Sequence, residues 1–316
     1  MHGTCDDFLA YCAQTRKLSG HTVKAYEIDI RAFLKSLGGE VCATEVDKGD
    51  LREFVDSCFS SGLSHATVKR RIACLQSLFR WLEGEGLIES SPFHRLNLKL
   101  HLPKRLPRNL SRSELRQLLR VAQRRIGLGP KSSYLTEEFP VITVGNINAV
   151  TTLLAVELLL TTGLRASELT NVSLDDLFLA DRYIHIRGKG QRERRVFVTD
   201  ECIQNLLRLY VQIRTVVSPD HTRLLVNSRG RPATPQCVRL WIRDLSSRAN
   251  LGRRATPHMF RHSAATELIG SGVDIAHVQK LLGHQSISTT QLYTHITNEE
   301  VKRRVVKAQV RRRNYG

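Results

Sequence analysis

The stretch from Thr256 to His295 constrains the fold more than any other part of this sequence, because its helix starts and stops mark three short helices. A helix is predicted to begin at Thr256, since a threonine hydroxyl caps free backbone N–H groups and Pro257 fits the first helical position. Glycines then mark the ends of successive helices, at Gly270 for the first and at Gly283 for the second. The stretch therefore predicts three helices joined by tight turns.

Four side chains on these helices are of types that bind or attack phosphate. His258 and Arg261 are three residues apart, so they share a face within two turns of the positive end of the first helix. His284 directly follows the glycine that ends the second helix, and Tyr293 lies on the third. We interpret the pair on the first helix as a place to hold a phosphate group.

The net charge of +18 is unevenly distributed along the 316 residues. Residues 1–100 hold 13 Lys and Arg against 13 Asp and Glu, whereas residues 101–316 hold 35 against 17. Such a surplus is typical of a protein with a polyanionic partner, and DNA is the partner we expect. The alternative is a basic protein whose charge only keeps it soluble.

Three features predict a cytoplasmic location and no membrane association. The seven cysteines form no C-x-x-C pair and are an odd number, which is typical of reduced thiols in the cytosol. The longest apolar run, Ala149–Leu160, is too short to span a bilayer. The sequence MHGTCDDF at the start lacks the basic and apolar pattern of an export signal.

Helical periodicity predicts a first domain over residues 1–90, with helices near 6–16, 20–37, 50–60 and 64–85. The early turns of the last helix carry Lys69, Arg70 and Arg71, which form either a solvated face or a set of phosphate contacts. Residues 91–109 lose the periodicity and contain three prolines, so we predict a linker. Within this linker Lys104, Arg105 and Arg108 form a basic cluster that is expected to lie along a DNA backbone.

A second domain is predicted over residues 110–316, ending in a basic tail. An apolar helix over residues 149–162 ends just before Arg165, and Glu168 follows three residues later. Arg165 has two interpretations: it caps the last carbonyls of that helix, or it binds phosphate with Glu168 beside it. Further along, residues 183–187 and 194–198 alternate polar and apolar around a glycine-flanked Lys189, which predicts a β-hairpin.

At these residues the chain resembles the tyrosine recombinase, or phage integrase-like, family. Five motifs occur in the family's order over roughly residues 108–300, and they are Thr162–Leu169 with Arg165, Gly188-Lys189-Gly190, His258-x-x-Arg261, Leu282-Gly283-His284 and Tyr293. Residues 5–90 resemble the family's smaller DNA-clamping domain. The resemblance implies a two-domain architecture, mainly α, in which a helical core-binding domain precedes a mixed α/β catalytic domain with a small β-hairpin or sheet.

The connection at about residues 127–148 is longer than this resemblance leads us to expect. Turn residues lie at both ends of this insert, and its centre, FPVITV, has the composition of a strand. Both a loop and a hairpin with contacts of its own fit the sequence.

The resemblance also implies a reaction, namely site-specific cleavage and rejoining of DNA through a 3′-phosphotyrosyl link, without metal, ATP or another cofactor. Tyr293 would attack the phosphodiester, and Lys189 would protonate the departing 5′ oxygen. The implied catalytic set is Arg165, Lys189, His258, Arg261, His284 and Tyr293, with Glu168 in support and with DNA contacts from Lys69, Arg70, Arg71, Lys104, Arg105 and Arg108.

The implied partners are double-stranded DNA with specific recombination sites and three further copies of the chain, which is expected to be monomeric or weakly associated when free. An accessory protein that bends DNA or sets directionality is also expected. The family's terminal helix docks on a neighbouring protomer, and Val301, Val305 and Val306 would form the contact face here. The resemblance leaves open whether the DNA belongs to a mobile genetic element or to a chromosome.

Three alternatives compete with this reading. A type IB-like topoisomerase shares the Arg, Lys, His and Tyr chemistry, but the small helical first domain favours a recombinase. A non-catalytic DNA-binding accessory protein would not need every nucleophilic and electrostatic position filled. His258 and His262 are spaced as metal ligands, yet the glutamate of H-E-x-x-H is missing and the neighbouring arginines would repel a cation.

Overall fold

A computed structural model describes residues 2–38, 41–94, 109–129, 132–188, 193–283 and 298–308 of the chain. It divides the chain into two compact units, Met1–Arg105 and Leu106–Gly316. Within the described ranges, no helix combines the length and the apolar character that crossing a membrane requires.

The first unit contains four described helices, which confirms the helices predicted from periodicity. They are α1 (His2–Gln14), α2 (Gly20–Ser36), α3 (Lys48–Ser60) and α4 (His65–Gly84). The side chains of Ser19 and Ser64 each accept a hydrogen bond from a backbone N–H three residues later, as expected for helix caps. The apolar face of α4 is buried and packs with Phe8, Phe33 and Phe54 in the core of this unit.

The second unit is mainly helical with one small sheet. In chain order its described elements are α5 (Arg112–Arg124), α6 (Ile147–Thr162), α7 (Ala166–Asn171), β1 (Leu177–Phe178), β2 (Tyr183–Arg187), β3 (Glu193–Phe197), α8 (Glu201–Ile213), α9 (Pro235–Arg248), α10 (Pro257–Gly270), α11 (Ile275–Leu282) and α12 (Asn298–Ala308). The small sheet beside the helices confirms the mainly α architecture with a β-hairpin in this unit.

Helix α6 forms the centre of the second unit. All of its residues except Asn148 and Thr161 are buried, and it contacts α5, α7, α8, α9 and α10. A helix that is apolar on every side is stable only inside a core, where each buried leucine contributes about 1.5–3 kcal/mol. Gly163 ends α6 with a φ of 63°, a left-handed conformation that glycine adopts without strain.

The three strands form an antiparallel sheet in the order β1, β2, β3. His185 lies opposite Arg195, and Ile186 lies opposite Arg194. The predicted hairpin is confirmed, with its second strand one residue earlier than expected at each end. Lys189, which the sequence predicts at its tip, lies outside the described residues.

The insert takes the loop alternative, because its described residues form no strand and include a short 3-10 helix, Thr136–Glu138. Tyr134 anchors the insert to the core, because its side chain is fully buried. The Tyr134 hydroxyl donates to Glu157 Oε1 of α6 at 2.5 Å and accepts from Gln123 Nε2 of α5 at 3.1 Å. The FPVITV segment keeps Val141 86% exposed, so its strand-like composition does not create a strand without a partner strand.

Candidate active site

Arg165 begins helix α7 two residues after the glycine that ends α6. Its Nη1 donates to Glu168 Oε1 at 2.7 Å, and its Nη2 donates to the carbonyl of Gly283 at 3.1 Å. Its backbone N–H also donates to Glu168 Oε2 at 2.9 Å. The Arg165 side chain stays 38% exposed, so part of its guanidinium faces the surface.

Arg261 lies on α10 and is almost fully buried. Its Nη1 donates to the carbonyl of Gly163 at 2.8 Å, and its Nη2 donates to the carbonyl of Leu282 at 2.6 Å. One interpretation of Arg165 was that it binds the last carbonyls of α6. In the structure Arg261 binds the carbonyl at that end, the one of Gly163. Burial and the charge of Arg165 lower the pKa of Arg261 to about 10, which still leaves the guanidinium charged at neutral pH.

His258 lies three residues before Arg261, in the first turn of α10, and is exposed at the surface. Partial burial of its ring lowers the pKa of His258 below its ordinary value, and the positive charges of Arg261, His262, Arg165 and Arg239 lower it further. The imidazole is consequently neutral at pH 7, the state in which a histidine can accept a proton.

Glu168 holds this group of arginines together. Its side chain is 7% exposed and receives Arg165 at 2.7 Å and Arg194 at 2.9 Å, while Arg261 Nη1 lies 3.9 Å away. Burial alone would raise the pKa of Glu168, but the hydrogen bonds and charge of Arg194, with hydrogen bonds from Arg165, lower it to about 2. Three guanidiniums against one carboxylate leave a surplus of two positive charges, a site suited to an anion.

Arg194 was not among the candidate residues in the sequence. Its position on the strand could have indicated that it is buried. Arg194 lies on β3 two residues before buried Val196, and therefore on the same face of the strand. An arginine on the core-facing side of a strand needs internal acceptors, and these are the two oxygens of Glu168 and the carbonyl of Leu281.

The structure brings Arg165, Glu168, His258 and Arg261 together. Lys189, His284 and Tyr293 lie outside the described residues, so their roles stay predictions. Two described neighbours adjoin them: Gly188 precedes Lys189, and Gly283, whose carbonyl accepts from Arg165, precedes His284.

The predicted DNA contacts of the first unit have unequal surroundings. Lys69 is exposed. Arg70 and Arg71 both pair with Asp29, which is fully buried, and Arg70 keeps 44% of its side chain exposed whereas Arg71 keeps 17%. Arg71 also lies over the ring of Phe54, so most of its side chain serves the fold of this unit. The basic linker residues Lys104, Arg105 and Arg108 lie outside the described residues.

Comparison with known proteins identifies the family. The chain matches the model of the phage integrase family over residues 137–300 and that of the phage integrase N-terminal SAM-like domain over residues 5–86. It is 33% identical to the tyrosine recombinase XerC of Oceanobacillus iheyensis over 316 residues, which cover 97% of this chain and 95% of the relative.

Solved structures share the fold. The lambda integrase tetramer bound to a Holliday junction is 17% identical over 91% of this chain and 78% of its own, with a TM-score of 0.68. The XerH site-specific recombinase bound to difH substrate, in a pre-cleavage complex, is 24% identical over 95% of this chain and 82% of its own, with a TM-score of 0.63. The chain belongs to the phage integrase family and is a tyrosine-type site-specific recombinase.

Proposed function

We propose that this recombinase cleaves and rejoins DNA at specific sites through a 3′-phosphotyrosyl intermediate, without metal or ATP. The observation that carries the proposal is the junction of α6, α10 and the end of α11, where Arg165 and Arg261 converge with two positive charges in surplus. A phosphodiester is anionic, and attack on it adds charge to its non-bridging oxygens. Guanidiniums fixed in place before the reaction stabilise that charge.

Arg165 and Arg261 differ in how they would meet the phosphate. The exposed part of the Arg165 guanidinium can donate directly to a non-bridging oxygen. Arg261 is held at both Nη atoms by carbonyls of Gly163 and Leu282, so it supplies charge from a rigid position and fixes the ends of α6 and α11 relative to each other.

His258 is the candidate proton acceptor. Its lowered pKa keeps the ring neutral, and its exposed position in the first turn of α10 lets it face a substrate. We assign it removal of the phenol proton, directly or through a water molecule, as Tyr293 attacks. His284 would add one hydrogen bond to the phosphate, and Lys189 would protonate the leaving 5′ oxygen.

The proposed partners are duplex DNA and three further protomers. Support comes from the shared fold of the lambda integrase tetramer on a Holliday junction. In this structure Val305 and Ala308 of α12 are buried in one apolar cluster with Leu268 of α10 and Phe197 of β3, all of the same chain. We propose that in the tetramer α12 of one protomer occupies this same surface on its neighbour, with an accessory protein able to set directionality.

Lys69 and the exposed part of Arg70 are proposed phosphate contacts of the first unit, joined by Lys104, Arg105 and Arg108 of the linker. Phosphate contacts of this kind position the protein along a duplex and carry no sequence information. We propose that the enzyme acts in the cytoplasm, on the DNA that carries its sites.

Recovery of recombined DNA tests the function. The chain is expressed with the DNA that flanks its own gene, new junctions are sequenced, and covalent protein–DNA adducts are trapped by denaturation. We expect junctions that join two sites, and an adduct that Tyr293→Phe abolishes while Tyr315→Phe, the matched control, retains it. An adduct without joined sites would indicate a topoisomerase, and the absence of any adduct would refute covalent catalysis.

A sulfur-substituted substrate tests the role of Lys189. Replacing the 5′-bridging oxygen by sulfur gives a leaving thiolate with a much lower pKa than an alkoxide, so the proton from a general acid is hardly needed. Lys189→Ala should be severely slowed on ordinary DNA and close to wild type on the sulfur substrate, whereas Arg261→Ala should gain little. Equal defects of Lys189→Ala on both substrates would reduce this lysine to a DNA contact.

A further inference from the structure

All three guanidinium nitrogens of Arg194 donate hydrogen bonds to acceptors of the same chain. Its Nη1 donates to Glu168 Oε1 at 3.1 Å, its Nη2 donates to Glu168 Oε2 at 2.9 Å, and its Nε donates to the carbonyl of Leu281 at 2.8 Å. The side chain is 15% exposed, so it has little surface with which to bind a substrate. Its effect on the reaction has to pass through the groups it holds.

The first of those groups is the carboxylate that also binds Arg165. Glu168 is buried and ionised, and Arg165 and Arg194 share its oxygen Oε1. A carboxylate with a single arginine partner forms a neutral, paired unit whose charge is no longer available to a phosphate. Because Arg194 binds both oxygens of Glu168, the carboxylate is divided between two cations and the charge of Arg165 is only partly offset.

The second group is the end of α11. A Cβ built on Gly283 would lie 3.3 Å from Arg194 Nη1, so the guanidinium lies against the Gly283 backbone, whose carbonyl accepts from Arg165. Arg194 itself is on β3, which begins four residues after Lys189 in the sequence. One side chain thus connects the strand after Lys189, the carboxylate beside Arg165 and the turn before His284.

We propose that Arg194 is a positioning residue for DNA cleavage, which holds the Glu168 carboxylate away from full pairing with Arg165 and so keeps the Arg165 charge available to the scissile phosphate. The inference rests on the proposed role of Arg165. Arg194 touches no reacting atom; it sets the electrostatic state and the orientation of an arginine that does.

The test compares Arg194→Met with a matched control on the same strand. Arg195→Met removes an exposed guanidinium that lies 4.9 Å over the ring of Tyr183 and outside the Glu168 cluster. Covalent adduct formation is timed under single-turnover conditions on a duplex that carries the enzyme's own junction sequence. We expect Arg194→Met to be about 10–100-fold slower, the cost of a misplaced catalytic group, and Arg195→Met to match wild type. DNA affinity should stay near wild type for both, because many other phosphate contacts sustain binding.

The double variant Glu168→Gln, Arg194→Met separates positioning from a merely structural role. If Arg194 acts by restraining the carboxylate, a neutral glutamine of similar shape removes the need for it, and the double variant should cleave faster than Arg194→Met alone. The double variant also keeps the surplus of two positive charges of the wild-type cluster, whereas Arg194→Met reduces it to one. Arg194→Lys, which keeps the charge and loses the fork, should lie between wild type and Arg194→Met.

Two results would overturn the proposed positioning role of Arg194. Cleavage by Arg194→Met at the wild-type rate would overturn the proposal, and so would a double variant as slow as or slower than the single one. Failure of the proposed function looks different, since wild-type protein would then form no adduct on the same duplex.

Discussion

Gly163→Ala is a perturbation whose size can be worked out from the structure. Gly163 has a φ of +63°, and a Cβ added there would lie 2.4 Å from Leu282 Cδ2 and 3.4 Å from Ala264 Cβ. Leu282 is 1% exposed, so its side chain cannot move into solvent to make room. The substitution therefore adds two costs, a strained backbone and an overlap inside the core.

Both costs can be estimated. A non-glycine residue in the left-handed region costs about 1–2 kcal/mol, and forcing an extra methyl group into a packed core costs about 1–3 kcal/mol. Alanine also makes the unfolded chain less flexible than glycine does, which offsets about 0.4–1 kcal/mol of this loss of stability. We therefore expect Gly163→Ala to lower the free energy of unfolding of the second unit by about 1–5 kcal/mol.

Gly272→Ala is the matched control, because Gly272 also has a left-handed φ, of +80°, but a Cβ there would meet nothing within 4 Å. It carries the backbone cost without the overlap, so its free energy of unfolding should fall by only about 0–1.6 kcal/mol. The difference between the two variants isolates the overlap with Leu282.

Urea unfolding followed by tryptophan fluorescence measures this difference. The chain has two tryptophans, Trp81 in the first unit and Trp241 in the second, so a Trp81→Phe background makes the signal specific to the second unit. Gly163→Ala should also slow adduct formation beyond Gly272→Ala, because the Leu282 carbonyl accepts from Arg261 and moves with its side chain. Equal losses of stability for the two variants would refute the reasoning.

Three further outcomes are expected. Arg165→Lys and Arg261→Lys should keep DNA binding and lose cleavage by about 10²-fold or more, since a lysine keeps the charge but loses the paired donors. Those donors would serve the phosphate at Arg165, and at Arg261 they hold the carbonyls of Gly163 and Leu282. Near-normal adduct yields would remove both arginines from the phosphate site. The cleavage rate should fall with decreasing pH only below the ordinary histidine pKa of 6.5, because the folded state lowers the pKa of His258. His258→Gln should lose this acidic limb of the pH–rate profile. An unchanged profile in that variant would contradict the role of His258 as the base. Deleting residues from Glu299 onward should leave binding to a single site intact and impair strand exchange; full-rate recombination would exclude exchange of α12.

Patterns among neighbouring residues were enough to predict most of the helices and the hairpin. Hydroxyl caps, a proline at the first helical position and terminating glycines act within one turn, so α2, α4, α10 and α11 follow from neighbouring residues alone. An apolar run predicted the helix α6, and alternation around a glycine-flanked tip predicted β2 and β3. Motif order in turn implied the family, and the comparisons confirm it.

Tertiary structure decided what each charged group binds. Whether Arg70 and Arg71 face solvent depends on buried Asp29, which lies more than 40 residues away in the sequence. Arg261 binds two carbonyls at helix ends and Arg194 binds a third through its Nε, and a carbonyl carries no sequence signal because every residue has one.

The sequence by itself therefore determined the elements, the family and the residue types of the site, because these depend on spacing and on side-chain chemistry. Only the tertiary structure decided that Glu168 is shared among arginines from three separate elements and that Val305 packs on its own chain. The physical reason is that a buried charge is stable only when distant parts of the chain bring it a partner, and such a pairing is fixed by packing rather than by local pattern.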